Sequence, residues 1–226
     1  IEGIMTQSEQ IPFENYKAGQ KIKFYILEVK KTNKGPQIVV SRSHPGLVKR
    51  LFEEEVPEIY EGIVQIKSVA REAGSRTKMA VRSIDEKIDP IGACVGPKGL
   101  RVKNIVDELG DEKIDIIKYS EDPAEFISAA LSPSKVVRVD IDEDEKSALV
   151  IVPDYQLSLA IGKEGQNARL AAKLTNWKID IKSESQAEQE MLNLENSKEI
   201  EAEDVEAEFI DQEELDTSED NFSEEE

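Results

Sequence analysis

Apolar residues recur along this chain in two rhythms, and the switches between them outline its elements. Over Lys21–Lys30 and Gln37–Arg42, β-branched and aromatic residues dominate, and Asn33-Lys34-Gly35-Pro36 between them is a turn signal, so the two runs read as a hairpin. A strand remnant is expected within Ile1–Met5. After a break at His44-Pro45-Gly46, Leu47, Val48, Leu51 and Phe52 form the stripe of a short helix that must stop before Pro57. Ile63–Val69 and Thr77–Arg82 read as strands joined by a turn at Gly74-Ser75. The apolar segment Ile91–Val95 comes next, then a helix with Val102, Ile105, Val106 and Leu109 at i, i+3, i+4 and i+7. Gly110 closes that helix, and Lys113–Tyr119 is the strand that follows.

The same succession then begins again. Asp122-Pro123 opens a helix through Leu131, with proline in the first turn where a missing N–H costs nothing. Val137, Val139 and Ile141 alternate with Arg138, Asp140 and Asp142 as a half-buried strand does, and Lys146–Val152 is its hairpin partner. The apolar segment Leu157–Ile161, a helix through Leu174 and the strand Trp177–Lys182 complete the second copy. In each copy a Gly-x-x-Gly turn sits between the apolar segment and the helix: Gly96-Pro97-Lys98-Gly99 and Gly162-Lys163-Glu164-Gly165. Both closing strands contain Lys-Ile-Asp-Ile, starting 17 residues after the first glycine in one copy and 16 in the other. An internal repeat of this kind carries far more information than one isolated turn.

The order helix, strand, strand, helix, GxxG, helix, strand resembles the bacterial-type (type II) KH module, whose glycine turn clamps a nucleic-acid backbone. The expected fold class is therefore α+β: tandem type II KH domains at 44–119 and 120–183. Residues 1–43 resemble the back half of an OB-type barrel, since two strands and a remnant cannot close five. The chain starts with Ile rather than Met, and loss of its beginning is expected.

The formal charge of −19 on 226 residues argues at first against a nucleic-acid partner. Its distribution reverses this. Residues 183–226 hold 19 carboxylates and one lysine, Lys198, which leaves 29 acids and 28 bases on residues 1–182. The segment 184–226 is expected to be a disordered acidic tail, with a brief helical extension over Glu188–Leu194. Such a tail reads either as a solubiliser or as a tethered competitor for a basic groove. A lone cysteine, Cys94, flanked by apolar residues, reads as core and excludes an internal disulfide. No apolar run approaches the roughly 18 residues of a membrane span, and no signal pattern is present, so a cytoplasmic setting without membrane attachment is expected.

The candidate site follows from the two turns. Two glycines close together let backbone approach a sugar-phosphate chain, and a helix N-terminus adds N–H donors and a dipole that favours an anion. Lys98, Arg101 and Lys103 cluster on and after the first turn, and Lys163, Arg169 and Lys173 on and after the second. Lys103 and Arg169 are equivalent, each 7 residues past the first glycine. Gln166 and Asn167 offer donors and acceptors suited to base edges, and equally suit a solvated first helical turn. Pro97 removes one N–H from the first turn and Glu164 adds a negative charge to the second, so unequal contacts are expected. Trp177, ahead of a strand, reads as core before it reads as a stacking platform. One histidine, His44, and one cysteine supply no metal cluster or nucleophile–base pair, and neither a cofactor, a metal site nor an enzymatic activity is expected.

Ser41-Arg-Ser-His-Pro-Gly-Leu47, Asp89-Pro-Ile-Gly-Ala-Cys-Val-Gly96, Ser120-Glu-Asp-Pro-Ala-Glu-Phe126 and above all the stretch from Val152 to Ala172 closely resemble the NusA family of bacterial transcription factors. The resemblance covers about residues 1–183. It implies an S1-type OB barrel, two KH modules packed as one unit, and binding of nascent single-stranded RNA during elongation, with effects on pausing, termination and antitermination. RNA polymerase and other elongation factors are the further partners it implies, and a monomer is expected. Lys98 departs from the arginine of many relatives and cannot make a planar bidentate phosphate contact. The alternative reading is the RNA-binding appendage of an RNA-processing enzyme whose catalytic part lies outside this sequence.

Overall fold

Hairpins organise the molecule. The computed structural model describes residues 2–193 apart from Phe13 and Lys34. The first sheet has the order β1-β3-β2, with β1 (Gly3–Ile4) parallel to β3 (Gly35–Ser41) and β2 (Tyr25–Thr32) antiparallel to it. The expected strand over 21–30 thus starts later. Beyond Ser41 the chain turns away, the Ser41 hydroxyl accepting the N–H groups of Ser43 and His44 at 3.1 and 2.9 Å, so residues before Tyr25 have no strand opposite them. Among the described residues this sheet stays open and closes no barrel.

The two repeats fold alike. The first comprises α1 (Pro45–Glu55), α2 (Pro57–Tyr60), β4 (Val64–Glu72), β5 (Arg76–Ser83), α3 (Pro90–Val95), α4 (Leu100–Glu108) and β6 (Lys113–Lys118). The second comprises α5 (Pro123–Ala130), β7 (Arg138–Asp142), β8 (Ser147–Val152), α6 (Leu157–Ile161), α7 (Gln166–Thr175) and β9 (Lys178–Ser183). In each sheet the middle strand is antiparallel to the strand before it and parallel to the one after, with Thr77 opposite Ile114 and Ala148 opposite Ile179. Helix starts follow local chemistry. Proline occupies the first turn of α1, α3 and α5, and Asp89 and Asp122 accept N–H groups of the helices they precede.

Strand β5 shows how the repeats are joined. Its residues Thr77 to Val81 are all buried, so both faces of the strand are covered. Met79 and Val81 point into the first repeat's own core with Leu47, Phe52, Cys94 and Ile105. Ala80, with Ala70 and Ile117, belongs instead to a core made mostly by the second repeat, including Phe126, Ile127, Leu131, Leu170 and Leu174. Helix α7 therefore lies on the first repeat's sheet, and the two repeats share one apolar interior. Trp177 packs at the edge of this core, in keeping with its structural reading.

The acidic segment needs a correction. Residues 184–193 form a helix, α8, which starts earlier than the expected extension and is continuous with β9. Ala187 and Met191 on it line an open groove with Val137 and Ile151, and Met191 and Leu192 stay exposed. Residues 194–226, where disorder is expected, lie outside the described residues.

Candidate nucleic-acid interface

Each turn leaves a short helix and enters a longer one through the same backbone path. Gly96 has φ 71°, ψ 177° and Gly162 has φ 76°, ψ 172°; Lys98 and Glu164 follow at φ 54°, ψ 25° and φ 52°, ψ 28°. Gly99 and Gly165, at φ 74° with ψ 15° and 13°, then cap α4 and α7. Six torsion pairs that coincide this closely in segments of different sequence make the two turns one structural device, used twice.

The glycines differ in what they permit. A Cβ on Gly96 would stand 2.6 Å from Cγ of Arg101, and one on Gly162 would stand 2.8 Å from Cβ of Asn167. No atom lies within 4 Å of the Cβ position on Gly99, and only Nη1 of Arg169, at 3.8 Å, approaches that on Gly165. The first glycine of each turn is thus needed for internal packing. The second leaves an open face where another chain can come close to backbone.

The predicted cations separate into two groups. Lys98 and Lys103 beside the first turn, and Lys163 and Lys173 beside the second, are exposed, with no ion pair among the described residues. Pro97 and Glu164 are exposed on the turns themselves. Arg101, expected to meet phosphate, is turned inward: its Nη1 donates to the Glu58 carboxylate at 2.9 Å and to the Ala93 carbonyl at 2.6 Å. Asn167, expected at a base edge, is buried, and its Nδ2 donates to the carbonyls of Leu131 and Ala160, both at 3.0 Å. Arg101 and Asn167 both stand 5 residues past the first glycine, and each satisfies carbonyls at the end of the preceding helix. That shared offset is legible in the repeat and marks a pin for the turn.

Gln166 and Arg169 face the first repeat. Gln166 Nε2 donates to Glu72 Oε2 and to Ser75 Oγ, each at 2.8 Å, and Arg169 Nε donates to Glu72 Oε1 at 2.7 Å. Arg169 Nη1 reaches the Glu164 carbonyl inside the turn at 3.1 Å. The hydrogen bond from Arg169 holds the Glu72 carboxyl below its ordinary range, and the same bond raises Arg169. Glu72 and Ser75 escape sequence reasoning because they lie more than 90 residues from their partners. Cys94, at the end of α3 and fully buried, has its thiol pushed up to about 12 by that burial. It takes no part in the surface.

Open, paired glycine turns at helix N-termini flanked by exposed lysines, on this strand order, define a protein with two KH domains. Residues 42–119 match the NusA-like first KH domain, and residues 123–189 the NusA-like second KH domain. The chain is 65% identical over 189 residues to the transcription termination/antitermination protein NusA of Halalkalibacterium halodurans, covering 84% of this chain and 50% of that protein. It is 66% identical to that of Bacillus subtilis over 83% of this chain and 50% of the relative. Against the protein of Thermus thermophilus the identity is 53%, with coverages of 79% and 46%. The chain belongs to the NusA family, and it spans about half the length of these relatives.

Proposed function

We propose that this chain binds single-stranded RNA through its two glycine turns, as the RNA-holding part of a transcription elongation factor that modulates pausing, termination and antitermination. The observation that carries the reading is the duplicated turn, alike in φ and ψ at its first, third and fourth positions and open at its second glycine. A phosphate approaching Gly99 or Gly165 meets backbone and a helix N-terminus, with Lys98 and Lys103 or Lys163 and Lys173 at hand to balance its charge. The mechanism is positioning: two clamps on one rigid body hold an extended strand, and no bond is made or broken. Nascent RNA is the ligand in this reading, RNA polymerase and other elongation factors are the further partners, and the setting is the cytoplasm. Among the described residues no helix is long and apolar enough to cross a membrane. The relatives' name, transcription termination/antitermination protein, favours this reading over an appendage of an RNA-processing enzyme.

The test is fluorescence anisotropy with a labelled single-stranded RNA, comparing the chain with its Gly99→Asp/Gly165→Asp variant. Aspartate tolerates the left-handed conformation of both positions better than most residues, so the variant keeps its fold while placing a carboxylate in each clamp. Loss of binding in the folded variant is expected. Undiminished binding would refute the assignment.

A further inference from the structure

The second clamp is not built by its own repeat alone. Glu72, at the end of β4 in the first repeat, divides its two oxygens between Gln166 and Arg169 on the first turns of α7. Arg169 in turn holds the Glu164 carbonyl. A chain of hydrogen bonds thus runs from the first repeat through one carboxylate into the glycine turn of the second. The first turn has no such tie: Lys103, equivalent to Arg169, is exposed with no ion pair among the described residues.

We propose that Glu72 is the positioning residue of the second phosphate clamp, orienting Arg169 and the glycine turn from across the boundary between the repeats. The inference rests on the RNA-binding reading above. A carboxylate on an arginine can also act as a competitor that phosphate must displace, and the geometry decides between the two. Glu72 takes only Nε, gives its other oxygen to Gln166, and leaves the outer Nη1/Nη2 edge of Arg169 without a carboxylate. Of the five N–H groups of a guanidinium, two are engaged, and the side chain is 46% exposed. Nη2 has no partner among the described residues and Nη1 keeps one of its two N–H groups, so the guanidinium presents donors to a phosphate with its orientation already fixed. Glu72 acts through Arg169 and touches no RNA.

The two roles predict opposite signs. Plain electrostatics, or competition for Arg169, makes loss of a carboxylate near a phosphate site tighten binding; positioning makes it weaken binding. Affinity for a short fluorescein-labelled single-stranded RNA is measured across a salt series with the full chain, for Glu72→Ala and Glu72→Gln, each also combined with Gly165→Asp or Gly99→Asp. Glu72→Ala is expected to weaken binding about tenfold and to flatten the slope of log K against log salt by about 0.7, the share of one single-strand phosphate contact. Glu72→Gln keeps the size and one acceptor, and is expected to lose less. Gly165→Asp should add little to Glu72→Ala, whereas Gly99→Asp should keep its full effect. Tighter binding by Glu72→Ala, unchanged affinity at an unchanged melting temperature, or full additivity with Gly165→Asp would each overturn the proposal. If neither glycine variant weakens the unmodified protein, the clamp reading falls, and this inference falls with it.

Discussion

Gly96 and Gly162 occupy a region of backbone space, φ near 75° with ψ near 175°, that is essentially closed to residues with a Cβ. Gly99 and Gly165 lie in the left-handed helical region, which other residues enter at a smaller cost. Alanine at Gly96 should therefore lower stability by about 2–3 kcal/mol, since Arg101 must also move, while alanine at Gly99 should cost about 1 kcal/mol. Urea denaturation of the two variants checks the ranking. Cys94 offers a second test at this scale. With its thiol raised to about 12 by burial, it stays protonated at neutral pH, so Ellman's reagent should label it only after denaturation. The glycines and Cys94 are legible in the sequence because their chemistry is local. Arg101 and Asn167 mislead, because a polar side chain on the first turn of a helix serves the backbone behind it as readily as a ligand in front.

Most elements are legible because their periodicity is: the stripe at Val102, Ile105, Val106 and Leu109 becomes α4, and the alternation around Val139 becomes β7. What fixes the joints between elements is less visible. Arg42, nearly fully buried, donates to Glu108 Oε1 and to the Lys23 and Glu108 carbonyls, all at 2.9 Å, and pairs with Glu14, bolting the first sheet to α4. Arg71 and Glu112 form an ion pair with both side chains wholly buried, and Glu112 also accepts the Gly74 N–H at 2.8 Å. Removing one partner leaves an uncompensated buried charge, so Glu112→Ala should destabilise the protein by about 3–5 kcal/mol, read from chemical denaturation. These residues lie 19 to 66 positions from their partners, and in sequence they are indistinguishable from surface charges. Helix α8 is hidden for a related reason: Ser185 Oγ donates to Asp154, 31 residues earlier, at 2.6 Å, and such a tie leaves no mark on the acidic composition.

At the scale of the whole molecule, two copies of one module are apparent from the repeat, but their fusion is not. Ala70, Ala80 and Ile117 read as the ordinary outer face of a small sheet until α7 is laid on it. The shared core sets the two clamps on one body at a fixed separation, which suits an extended strand held at two points. It also predicts that residues 44–119 alone, with that face uncovered, melt at a lower temperature than residues 44–193 and bind a hydrophobic dye that the longer piece excludes.

Whether RNA meets backbone at both glycine turns is read by amide-resolved NMR of the chain during titration with single-stranded RNA. The largest shifts are expected on the amides of Lys98, Gly99 and Leu100 and of Glu164, Gly165 and Gln166, diminishing together as salt is raised. Shifts gathered instead on the exposed apolar face of the first sheet around Phe24 and Ile26, or no shifts at low salt, would contradict it.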